Sequence, residues 1–210
     1  MSPQDRDMAI ATIKDQFLKK QQEYNLIYSE ISNCARYIKV WQLIAEAKNN
    51  SSLNNESFWG WMQQYPLLRQ IVIDSYKIFR HTMTYIKALT QNILTKEQND
   101  LLIKNSKLRD SLKQIGKIVE PLKDYRNKRY AHLENIEIQN LSCNLGELWQ
   151  SLKNIENSIY YIYHHLVNPR YIIDEAWQPP SIAAQQHNIT SVSNDDYVIR
   201  DCKAIIEKLN

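Results

Sequence analysis

The chain has 210 residues, a formal net charge of +3, three Gly and six Pro. That length suffices for one domain with a real core, and so few Gly and Pro argue against the many turns of a sandwich or barrel. A charge this near neutral sets up no global basic field, so any nucleic-acid contact must come from a local patch.

The first predicted helix runs from about Pro3 to Lys48. Ile10, Ile13, Phe17, Tyr24, Ile27, Ile31, Ala35, Ile38 and Ala45 recur mostly at steps of three and four, the period of an amphipathic helix. Ser2 is placed to cap it and Pro3 to occupy its first position. The polar stretch KNNSSLNNES ends it. A second helix is expected from near Glu56 through Leu89, apolar on more than one face and hence central, with Pro66 kinking or breaking its start. Thr95 to Gln98 (TKEQ) reads as a capping box. The helical stretch that follows carries Leu101, Leu102, Leu108, Leu112, Ile115, Ile118, Val119 and Leu122. Its polar middle, KNSKLRDS, admits a short break, and Pro121 predicts a bend. This stretch should end near His132 or Glu134. Another helix is expected from about Asn144 to Leu166, with a stripe of Leu148, Leu152, Ile155, Ile159, Ile162 and Leu166. A loose connector leads to a short closing helix. Ser193 or Asn194 is expected to cap it, with Val198, Cys202, Ile205 and Leu209 on one face.

The pattern predicts an all-α protein: a bundle of four to five long helices over residues 1–168, and a C-terminal extension, 169–210, with a short terminal helix. The extension is either a partner-binding arm or a helix packed on its own bundle. Cys34, Cys143 and Cys202 form no CxxC or Cys/His metal spacing, which suits free thiols in a reducing cytosol. The opening residues lack the apolar stretch of a signal peptide, and no run of about 18 apolar residues offers a membrane span. A cytoplasmic location without membrane contact is the expectation. There is no GxGxxG, P-loop, GxSxG or HExxH, so no cofactor and no metal are expected.

One short stretch stands out. In KDYRNKRYAHLEN, residues Lys123 to Asn135, Arg126, Lys128 and Arg129 crowd beside Asn127 and His132. A cation cluster at a helix C-terminus has a plain stabilising role, because the helix dipole favours each by roughly 0.3–1 kcal/mol. Asp124 is also spaced to pair with Lys128, and Tyr130 to stack with Arg126. That reading accounts for the charges but not for the choice of His or of Asn. On a straight helix Arg126 and His132 are rotated by about 240°, with Arg129 about 60° from each. The two converge only if the helix ends or distorts before His132, or if two copies of the chain bring their motifs together. Arg129 is therefore a rival to Arg126 for any phosphate.

The run YRNKRYAHLE resembles the signature of the HEPN superfamily (higher eukaryotes and prokaryotes nucleotide-binding domains). In that signature an Arg is followed directly by a polar residue and, after a short spacer, by His. Here these are Arg126, Asn127 and His132. The order of helices over roughly residues 5 to 167 is most similar to the abortive-infection HEPN proteins of bacterial phage defence. The resemblance implies a metal-independent endoribonuclease that works as a homodimer on RNA, in some members beside a nucleotidyltransferase antitoxin. It implies His132 as general acid/base and Arg126 as the phosphate-holding cation. Asn127 would orient the phosphate or His132, and Lys128 and Arg129 would add affinity for the RNA backbone. Some members keep the fold and serve as catalytically silent adaptors, which is the alternative outcome.

Other residues are read more plainly. His164 and His165 adjoin a helix end without a carboxylate at four-residue spacing, and C-terminal capping is expected. His81 reads as a core or interface residue. Its neighbour Arg80 is placed to reach the motif helix and add a phosphate contact. Tyr160, Tyr161 and Tyr163 read as core packing or a dimer face before base stacking. Trp59 and Trp61 point to opposite sides of their helix, so only one can face the core.

Overall fold

A computed structural model describes residues 2–50, 67–123, 144–173 and 196–209. All regular structure among them is helical. Ser2 starts α1 (Pro3–Lys19): its hydroxyl accepts from the Asp5 N–H at 3.1 Å, and the Asp5 carboxylate reaches back to the Ser2 N–H. That reciprocal box satisfies two otherwise orphaned donors.

The expected single helix over Pro3–Lys48 is two. α1 stops at Lys20, whose φ/ψ of −110°/14° leaves the helical region, and α2 runs Gln21–Asn50. A distant contact accompanies the break. Lys20 Nζ donates to the carbonyls of Ala88 at 2.7 Å and Gln91 at 2.6 Å, capping the far end of α3 (Leu68–Thr90). α1 thereby turns its buried Ile13 and Phe17 onto α6 (Leu145–Val167), where the Phe17 and Tyr163 rings meet edge to face at 5.3 Å.

The TKEQ box caps α4 (Lys96–Asn105) as expected. The polar break falls at Ser106–Lys107, where Lys107 takes a left-handed φ of 56° and α5 (Leu108–Val119) begins in a new direction. Pro121 lies in a single 3₁₀ turn, Glu120–Leu122, that ends α5. Asn144 caps α6 through its side-chain oxygen, which accepts from Gly146 and Glu147. A short α7 (Arg170–Ile173) follows.

α2, α3, α5 and α6 close a four-helix square: α2 packs on α3, α3 on α5, α5 on α6 and α6 on α2. Facing residues give the directions. Glu30 bonds Tyr85 while Cys34 sits 3.3 Å from Ser75, so α2 and α3 are antiparallel. Ser111 meets Ser158 at 3.2 Å and Gln114 meets Asn154 at 3.0 Å, so α5 and α6 are antiparallel too. Ile31, Ile38, Ile71, Ile78, Ile86, Ile115, Leu152 and Ile155 fill the centre. Ser75, Thr82 and Thr90 return their hydroxyls to carbonyls four residues back, at 2.6, 2.6 and 2.9 Å, and so are buried without an open polar group.

The closing helix, α8 (Tyr197–Leu209), packs on its own bundle. Its N-cap is Asp196, whose carboxylate accepts from the N–H groups of Val198 and Ile199 and pairs with Arg36 at 2.9 Å; Ser193 and Asn194, the expected caps, lie outside the described residues. The expected apolar face is rotated. Val198, Ile199, Cys202 and Ile206 pack on Val40, Ile44 and Ala47 of α2, and Ile205 is exposed. Partial burial would raise the Asp196 carboxyl; Arg36 and the two backbone donors overcome this and hold it below its ordinary value.

α5 reaches α3 most closely at Gly116, where an added Cβ would stand 2.7 Å from Phe79 Cε2. Gly116→Leu is expected to lose about 1–3 kcal/mol of stability in urea titrations, and Phe79→Ala in the same chain to recover part of it.

Candidate functional site

Arg126, Asn127, Lys128, Arg129 and His132 lie outside the described residues, as do Trp59, Trp61 and Pro66. What the fold supplies is the frame on either side of the motif. The described chain stops at Lys123, after the 3₁₀ turn of α5, and resumes at Asn144, the cap of α6. Because α5 and α6 are antiparallel neighbours, both points lie at one end of the bundle, together with the end of α2 and the start of α3.

Arg80, the sixth candidate, is exposed on α3, with its guanidinium carbon 5.9 Å above the Tyr76 ring. That cation–π contact holds the side chain along the helix surface. His81 is exposed and not a core residue; its ring lies 6.2 Å from that of Tyr85 on the α2 side of α3. Glu30 faces this edge. Burial raises its carboxyl, against the opposing influence of Lys77 and His81.

Both histidines lie in the last turn of α6, and His165 is turned into the core rather than toward the helix end. His165 is buried, its Nδ1 lies 2.7 Å from the Tyr161 carbonyl, and its ring stacks on Tyr161 at 4.1 Å. A carbonyl only accepts, so Nδ1 carries the proton. Burial lowers the His165 pKa, which keeps the ring neutral. At the helix end the Asn168 N–H donates to the His164 carbonyl. Tyr161 is a core residue, and Tyr163 is half-buried against the same core. Burial pushes the Tyr161 hydroxyl up to about 12 despite a hydrogen bond with Asn105.

One titratable group was not anticipated. Glu156 is 5% exposed, on the edge of α6 that faces Tyr24 and Tyr28 of α2. Burial pushes its carboxyl up to about 7, while Lys153, one turn back, favours the charged form. Tyr24 is raised as well, first by burial and then by Tyr28 and its other neighbours. A signal existed in the sequence: Glu156 stands four residues after Leu152 and three before Ile159, on the edge of the apolar stripe. A group that titrates near neutrality inside a phenol-lined interface can take up or release one proton. It lies in the α2–α6 contact, where it acts on stability.

Among the described residues no group of three His, Cys, Asp or Glu is placed to hold a metal. No described helix is long and apolar enough to cross a membrane. No family model, curated protein or solved structure matches the chain.

The Glu156 carboxyl titrates higher in the folded chain than its ordinary 4.5. Its contribution to stability is therefore full below that ordinary value and is lost as pH rises through about 7. Glu156→Gln is expected to remove this loss. Between about pH 5 and about pH 8 its stability, followed by thermal melts, should fall on the order of 2 kcal/mol less than the parent's.

Proposed function

We propose that the chain is a metal-independent endoribonuclease of HEPN type, working as a homodimer in a bacterial phage-defence or toxin–antitoxin setting. The observation that carries this reading is the run Arg126-Asn127 followed by His132, in a segment that joins two antiparallel helices of an all-α bundle. Imidazole titrates near neutral pH, so His132 is suited to take the 2′-hydroxyl proton or to protonate the leaving 5′-oxygen. Arg126 is suited to hold the scissile phosphate and to stabilise the charge that builds on its oxygens. Asn127 supplies an orienting hydrogen bond, and Lys128 and Arg129 add cations for the backbone. A straight helix would turn Arg126 and His132 apart, so they converge where the helix ends or distorts before His132 or where two copies bring their motifs together; the homodimer supplies the second route. A nucleotidyltransferase-type partner is the antitoxin this reading would pair with it.

Purified chain incubated with total RNA and tRNA in EDTA is expected to cut. His132→Ala and Arg126→Ala, checked for folding by circular dichroism, are each expected to lose about 10²–10⁴-fold in rate. A wild type that stays inert at high concentration, or variants that cut as well as the parent, would move the chain to the binding modules that share this fold.

A further inference from the structure

We propose that the groove between α3 and α5 is a track for the phosphodiester backbone of single-stranded RNA; the choice of RNA as occupant rests on the ribonuclease reading. The groove is located by Gly116 against Phe79. On α3 the residues that flank this contact on the outer side are Tyr76, Arg80 and Lys87, at relative positions 0, 4 and 11 and so on one stripe. On α5 the matching stripe is Arg109, Lys113 and Lys117, with Gly116 beside it. The two stripes run along the same groove from opposite helices.

Cations outnumber acids there. The only acid of α3 is Asp74, which is buried, accepts from Gln70 at 2.8 Å and lies 3.7 Å from Lys77. The exposed charges of α3 are therefore all basic. Among the described residues no carboxylate pairs with Arg80, Lys87, Lys113 or Lys117. Arg109 meets Asp100 at 3.8 Å, an exposed contact that holds little. Besides Asp100, the counter-charges are Asp110, exposed on the first turn of α5, and Glu120, exposed where α5 stops. Cations about 6 Å apart along α5 and about 10 Å apart along α3, beside the Tyr76 ring, suit a polyanion with stackable bases.

Two rival occupants fit less well. An anionic membrane surface needs large apolar side chains among the cations, and an acidic protein needs an apolar anchor. The exposed large hydrophobic residues among those described are Met8, Leu18, Leu26, Leu101, Tyr197 and Ile205, and none is on α3 or α5.

The test is salt-dependent binding of a fluorescent single-stranded RNA to full-length chain carrying His132→Ala, which prevents cleavage. Each phosphate contact contributes about −0.7 to the slope of log affinity against log salt. Adding Arg80→Gln, Lys113→Gln and Lys117→Gln is expected to flatten the slope by about 2 and to weaken binding at least about tenfold at low salt. A control with the same net charge, Lys14→Gln, Lys96→Gln and Lys208→Gln, should keep the slope. No binding by the parent, an unchanged slope in the groove variant, or an equal loss in the control overturns the track. So does tighter, groove-dependent binding to phosphatidylserine vesicles than to RNA. Cleavage by the wild-type chain is scored separately. Groove-dependent binding without any cutting leaves the track and removes the ribonuclease reading; cutting without groove-dependent binding does the reverse.

Discussion

Burial along α2 is the constraint on which the other elements depend. At 30 residues this helix is about 45 Å long, and it carries apolar residues on two faces. One face gives Ile27, Ile31 and Ile38 to the square made with α3, α5 and α6. The opposite face, about 180–240° round the helix, carries Val40, Ile44 and Ala47. Left open, that second stripe would expose apolar area worth roughly 1.5–3 kcal/mol for each large side chain. α8 covers it, and the Arg36–Asp196 pair fixes where α8 starts. The terminal helix is thus fastened to the bundle by the part of α2 that the bundle leaves uncovered.

Close packing elsewhere is obtained by small residues and returned hydroxyls. Cys34 and Ser75 let α2 and α3 approach, with the serine hydroxyl bonded into its own helix. Ser111 and Ser158 do the same for α5 and α6. Gly116 brings α5 onto the Phe79 ring. With apolar and small residues turned inward, the long basic side chains of α3 and α5 are left on the outside, in two neighbouring rows. A chain of near-neutral total charge can concentrate local positive potential in this way.

The buried polar groups divide by how they are satisfied. His165 is neutral and bonded to the Tyr161 carbonyl, so it packs much as an aromatic residue would. Glu156 has no comparable bonded arrangement, and burial drives it toward the protonated form near neutrality. The first adds to the specificity of the α6 core. The second makes the α2–α6 contact sensitive to pH.

The sequence by itself determined the helical class, the caps at Ser2 and Thr95, the start of α6 near Asn144, the break near Lys107 and the apolar stripe of α6. Each of these follows from period or from hydrogen bonds between residues a few positions apart, which operate wherever the segment lies. It also displayed the Arg126–His132 run, whose side-chain types and spacing are local facts. Only the tertiary structure decided the break at Lys20, because its ammonium meets carbonyls some 70 positions away. The same holds for the rotated face of α8, for the surface position of His81, and for the burial of Glu156 among the tyrosines of another helix. The approach of α5 to α3 at Gly116 and Phe79 belongs with these. Burial and facing depend on which helices become neighbours, and a one-dimensional pattern leaves that choice open.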